Sequence, residues 1–171
     1  MSRKFFFILI ALSIVTSVLI AANNFEKKEP VYFGPNAGEI TITPKQMAVP
    51  RFGWANCSKG LTQDWIDHSI FKLELYKDDV LLQTVSTEDG NWIWENPAPG
   101  LECLHGNETS VARWHFRGLQ LKDPGTYKLW IYREWTVPMI DGWDYDGDNL
   151  PDVFPATVFP ERWVTINVLE K

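Results

Sequence analysis

The stretch Asp-Tyr-Asp-Gly-Asp-Asn-Leu-Pro-Asp, residues 144–152, sets carboxylates at its first, third, fifth and ninth positions: Asp144, Asp146, Asp148 and Asp152. Calcium takes six to eight oxygen ligands at about 2.3–2.6 Å, and spacing by two lets successive carboxylates of a curling loop turn toward one ion. The backbone carbonyl of Leu150, at the seventh position, would add an oxygen, and Asp141 stands nearby as an outer ligand. Like charges this close repel one another, and a divalent cation relieves that repulsion. The plainer account is a solvated acidic turn that holds no metal.

The pattern resembles the DxDGDGxxD loop of integrin-type propeller repeats and the first nine positions of an EF-hand. The resemblance implies a Ca2+ site on Asp144, Asp146, Asp148, Leu150 and Asp152. Two positions depart from it. Asn149 stands where glycine is usual, and asparagine enters the left-handed region more readily than most residues. Pro155 stands where an EF-hand has its bidentate glutamate, and no helix-loop-helix pattern flanks the run.

Aromatic residues form the second candidate set. In Leu-Trp-Ile-Tyr, Trp130 and Tyr132 fall on the face opposite Leu129 and Ile131, while Trp135, Trp143 and Trp163 lie at or near the acidic stretch. Exposed planar rings stack on sugars or anchor protein partners. The alternative is that these rings pack beneath the acidic segment as a satellite core.

Little points to catalysis. His68, His105 and His115 occupy separate segments without metal-ligand spacing, and no nucleophile elbow, zinc-protease motif or phosphate loop is present, so the chain reads as a non-enzyme. Cys57 and Cys103 are the only cysteines. In an oxidising compartment they form one disulfide, worth about 4 kcal/mol on the chain-entropy view; the alternative is two buried thiols.

The elements that must position these residues are short and alternating. Strands are expected at Glu39–Thr43, across a hairpin in residues 69–87 turning at Asp78-Asp79, at Asn91–Glu95, and in the segments 110–121, 126–135 and 162–170. That makes about seven strands, the number in a Greek-key sandwich. Residues 61–70 read as a loop containing one turn, being too short for an independent helix. Residues 136–161, which carry Trp143, Tyr145, Phe154 and Phe159 with four prolines, form a connection too long for a simple hairpin, and such loops are usually functional.

Within Leu119–Tyr132, the run Asp123-Pro-Gly125-Thr-Tyr127 resembles the corner that precedes the sixth strand of immunoglobulin-like domains. The resemblance implies an all-β, Ig-like Greek-key β-sandwich over residues 39–171, with Tyr127 returning its hydroxyl to upstream backbone. Leu129 occupies the place of the second core cysteine of antibody domains, so Cys57 and Cys103 would staple loops instead.

The amino terminus sets the compartment. Arg3 and Lys4 precede an uncharged, mostly apolar run, Phe5 to Ala22, so residues 1–22 read as a signal peptide or signal anchor, followed by a linker over 23–38. Cleavage wants small residues at −3 and −1, and Ile20 or Leu19 at −3 suits it poorly. A retained anchor stands beside secretion, because eighteen such residues at about 1.5 Å each nearly span the hydrocarbon core. Either way the remainder lies outside the cytoplasm. Without Arg3 and Lys4 the basic count falls from 16 to 14 against 22 acids, a net of −8. That charge excludes nucleic acid as partner. The chain is therefore expected to be an extracytoplasmic binding or adhesion module with a calcium-stabilised loop, meeting a protein or glycan at the cell surface. A carbohydrate-binding module or a structural subunit of a cell-envelope assembly are the alternatives.

Overall fold

A computed structural model describes residues 28–95, 103 and 109–170. Residues 1–22, expected to be a signal peptide or anchor, the start of the expected linker and His105 lie outside them. No helix among the described residues is long and apolar enough to cross a membrane.

The chain is predominantly β and arranged in mixed sheets compatible with a β-sandwich. Strands β1 (Glu29–Phe33), β3 (Gln46–Asn56), β6 (Asn91–Glu95) and β7 (Ser110–His115) form a four-stranded sheet in the order β1-β3-β7-β6. The larger sheet runs β2-β12-β8-β4-β5, built from β2 (Glu39–Ile42), β4 (Ser69–Lys77), β5 (Val80–Ser86), β8 (Gly125–Trp135) and β12 (Arg162–Val168). Two pairings are parallel, β1 with β3 and β2 with β12; the other neighbours within these two sheets run antiparallel.

Period-two alternation decides which faces meet. In β8, Tyr127, Leu129, Ile131 and Trp135 are buried while the residues between them are not. Leu73 and Leu75 of β4 and Val164 and Ile166 of β12 extend the same layer. From the opposing sheet Phe52 and Trp114 stack together with Phe71, centroids 4.9–5.7 Å apart. The fully buried Trp114 keeps its indole N–H satisfied on the Thr87 carbonyl at 2.9 Å. The β4–β5 turn forms as expected, with Asp78 and Asp79 both at positive φ, the geometry that matches the right-handed twist of a two-residue hairpin.

Three expectations change. The turn expected in residues 61–70 is part of a ten-residue helix, α1 (Lys59–His68), capped by Ser58, whose hydroxyl accepts from the Leu61 amide at 3.2 Å. Its stability comes from docking, since Thr62 and Trp65 are buried and Trp65 meets Phe71 and Trp92 edge-on or tilted. The linker region supplies β1, which buries Phe33. The strand count rises through β1, three short strands after Trp135, and β3, which was concealed because Pro50 interrupts its pattern. Pro50 falls at the junction of the stretches that register with β1 and with β7, where its carbonyl accepts from the Phe116 amide at 3.2 Å and its missing N–H ends the ladder.

Candidate functional site

The connection after β8 is a folded appendage rather than an open loop. Met139–Ile140 (β9) pairs antiparallel with Val153–Phe154 (β10), and Thr157–Val158 (β11) then pairs with Glu134 and Trp135 of β8, in the lane β12 occupies lower down. The acidic stretch is the tip of the β9–β10 ribbon, closed by the Asp152 amide donating to the Trp143 carbonyl at 2.9 Å.

Its base is fastened to the body. The Cys57 amide donates to the Asp141 carbonyl at 2.7 Å, and Cys57 is joined to Cys103 by a disulfide. Asp141, expected as an outer ligand, is instead 1% exposed. Its carboxylate accepts from the Trp143 amide and the Tyr145 hydroxyl, each at 3.0 Å. Burial pushes this carboxyl up from its ordinary value against the pull of those two donors. The Tyr145 phenol rises to about 12, through burial first and the Asp141 carboxylate second. Asp141 thus shapes the tip from within.

At the tip each aspartate folds its own neighbourhood. Asp144 accepts from the Gly147 and Asn149 amides, at 2.6 and 2.8 Å; Asp148 accepts from the Leu150 amide, and Asp152 from the Tyr145 amide. Gly147 and Asn149 both take positive φ, so the left-handed conformation expected of Asn149 is present. Partial burial raises the Asp144 carboxyl, but the backbone donors outweigh it and hold the group below its ordinary value. For Asp146 the Asp148 amide pulls down, while the Asp148 and Asp152 charges and desolvation prevail and push it up.

Asp144, Asp146 and Asp152 each bring a carboxylate oxygen within 4.8 Å of the others. Two oxygens on one calcium are at most about 5 Å apart, twice the bond length, so this triangle fits a single ion. Asp148 is outside the triangle, and one of its carboxylate oxygens accepts from the Leu150 amide at 2.8 Å. The Leu150 side chain is exposed.

The expected aromatic residues separate. Trp135 is no surface ring: it is 7% exposed and meets Trp54 and Phe159 edge-on at 4.7 and 4.8 Å, with Phe154 at 6.1 Å. The ribbon needs a core of its own, and Trp135, at the end of β8, supplies it. Trp143 is half-buried beneath the tip. Trp130 and Tyr132 do stand on the outer face of the larger sheet, with their rings stacked 6.0 Å apart. Registers bring two residues to that face that sequence spacing did not join to them: Trp163 lies directly opposite Trp130 across β12 and β8, and Tyr76 of β4 meets Trp163 at 5.7 Å. Alternation along "RWVTINV" was the available signal for Trp163, since it sets Trp163 opposite the core-facing Val164 and Ile166.

Polar partners hold this face in order. The Trp130 indole donates to Glu161 at 3.1 Å, Tyr132 donates to Glu134, and Tyr76 donates to Glu74. Lys72 pairs with Glu74 at 3.2 Å and lies over the Trp130 ring. The hydrogen bond from Tyr76 is the main reason the Glu74 carboxyl lies below its ordinary value. Comparison with known protein families, characterised proteins and solved structures finds no match.

Proposed function

We propose that this chain is an exported, immunoglobulin-like binding module that meets its partner through the outer face of the larger sheet, with a calcium-organised tip at one end. The observation that carries the binding reading is the concentration of four aromatic side chains, Tyr76, Trp130, Tyr132 and Trp163, on a sheet face whose other side is already the core. A face that only meets water is ordinarily polar. Enrichment in Trp and Tyr marks contact surfaces.

Support for the immunoglobulin-like assignment comes from the strand orders, which follow the two-sheet layout of such domains with β3 and β8 as their second and sixth strands. The Tyr127 hydroxyl donates to the Asp123 carbonyl at 2.9 Å and accepts from the Asp123 amide at 3.2 Å, as a tyrosine corner requires. Export rests on the basic, then apolar, amino terminus.

For calcium, Asp144, Asp146 and Asp152 would hold the ion, with the Leu150 carbonyl as a further oxygen. The ion would offset two of the three carboxylate charges and fix the tip, lowering the conformational cost of presenting it. Binding, not catalysis, is the activity assigned. The test is capture of surface components from native membranes on the immobilised full-length chain, compared with a Trp130→Ala/Trp163→Ala variant. Selective loss of captured components supports the reading; identical capture by both chains overturns it.

A further inference from the structure

The outer face of the larger sheet carries enough chemistry to name the ligand. Resting on the reading of that face as the contact surface, we infer that it binds an uncharged oligosaccharide built of pyranoses with mainly equatorial hydroxyls.

The rings come first. A pyranose with equatorial hydroxyls presents flat faces of C–H groups, whose partial positive charge suits the negative face of an aromatic ring. Trp163 is 52% exposed and stands directly across from Trp130, and the Trp130 and Tyr132 planes lie within 26° of each other. Tyr76 with Trp163 and Trp130 with Tyr132 therefore form two ring pairs, which the Trp163–Trp130 register sets on one face across three adjacent strands, β4, β8 and β12. Such an array suits an extended chain of sugars better than a single compact ligand. Beside Trp163 the face opens into a cleft of about 520 Å³ bounded by Tyr76, Asp79, Lys128 and Thr165. Its size falls within the roughly 300–1,000 Å³ usual for small-ligand sites.

The polar groups decide the charge of the ligand. Each of three rings is tied to a carboxylate, Tyr76 to Glu74, Trp130 to Glu161 and Tyr132 to Glu134. A carboxylate accepting one hydrogen bond retains lone pairs, so these groups can accept further from sugar hydroxyls at the ring edges. Both lysines of the face are engaged, Lys72 by Glu74 and Lys128 by Asp79 at 3.6 Å. Acidic glycans meet repulsion here, while neutral hydroxyls meet acceptors. A protein partner would be expected to bury an apolar anchor in a pocket. The cleft beside Trp163 is walled by Asp79, Lys128 and Thr165 as well as by rings, and the face alternates rings with hydrogen-bonding edges, as a sugar chain does.

The test is calorimetric titration of the full-length chain, held in a detergent without a sugar headgroup, with cellohexaose, chitohexaose and, as an acidic control, an oligogalacturonate. The expected result is saturable binding of at least one neutral hexasaccharide, no binding of the acidic one, and at least a ten-fold weakening by Trp163→Ala at an unchanged melting temperature. Trp163→Tyr, which keeps a planar ring, is expected to restore part of the affinity. Absence of neutral binding, preference for the acidic sugar, or indifference to Trp163→Ala each overturns the inference. If neutral binding is absent while capture of membrane components still depends on Trp130 and Trp163, the sugar assignment fails and the contact-surface reading stands.

Discussion

A Cβ placed on Gly142 would lie 2.5 Å from the Cβ of Cys57, and Gly142 itself holds φ at +89°. The disulfide-bonded strand end and the base of the acidic tip are therefore packed backbone against side chain, with no room for even a methyl group. Gly147, near the summit, has φ +84° but open space around it. Gly142→Ala combines backbone strain with overpacking and is expected to cost about 2–4 kcal/mol. Gly147→Ala carries strain alone, about 1–2 kcal/mol. Denaturant unfolding of both variants checks the order; equal losses would show that the Cys57 contact contributes nothing.

The carboxylate triangle gives the second expectation. Calcium that binds only the folded chain stabilises it by about 2.7 kcal/mol at a hundred-fold excess over its dissociation constant. For a domain of this size that is a rise of roughly 5–10 °C in melting temperature. Asp146→Ala is expected to abolish the rise, whereas Asp148→Ala, which removes a group outside the triangle, leaves most of it. A melting curve unchanged by chelator sinks the calcium assignment.

The two tryptophans on either side of the larger sheet should respond differently to truncation. Trp135 fills the space between Trp54 and Phe159, so Trp135→Ala is expected to destabilise by about 3–5 kcal/mol. Trp163 is half in solvent, and Trp163→Ala stays within about 1 kcal/mol of the parent. Chemical denaturation distinguishes them, and a large loss in the second variant would mean that its ring supports the fold.

That contrast also shows what could be read from residues alone. Strands with one buried face declare themselves by alternation, as in β4, β8 and β12, and the turn and corner at Asp78-Asp79 and Asp123–Tyr127 follow from local chemistry. Local periodicity was blind to β3, which is buried along much of its length and broken by Pro50, and to α1, whose helical state depends on the docking of Trp65. At the candidate site, the spacing of the aspartates identified the tip and three of its convergent carboxylates. Asp141 and Asp148 stand apart from those three because a carboxylate's direction depends on which donor it meets. Trp163 and Tyr76 joined the aromatic face only through long-range register, a relation that no short window contains.

His115 supplies a pH-dependent expectation. It is buried on β7, stacked against Tyr32 at 6.2 Å, with Arg51 over that same Tyr32 ring and Arg117 donating to the Tyr32 hydroxyl. Burial first, then the Arg117 and Arg51 charges, hold its imidazole below the ordinary value of about 6.5. As pH falls below about 6.5, the unfolded chain takes up a proton that the folded chain refuses. The stability associated with His115 is therefore fully present above that value and is lost progressively as pH drops toward the lower folded value. His115→Gln cannot titrate, so its unfolding free energy should vary less between pH 7 and pH 5 than the parent's. Urea titrations at half-unit intervals measure both slopes, and parallel curves would remove His115 from the account of acid sensitivity.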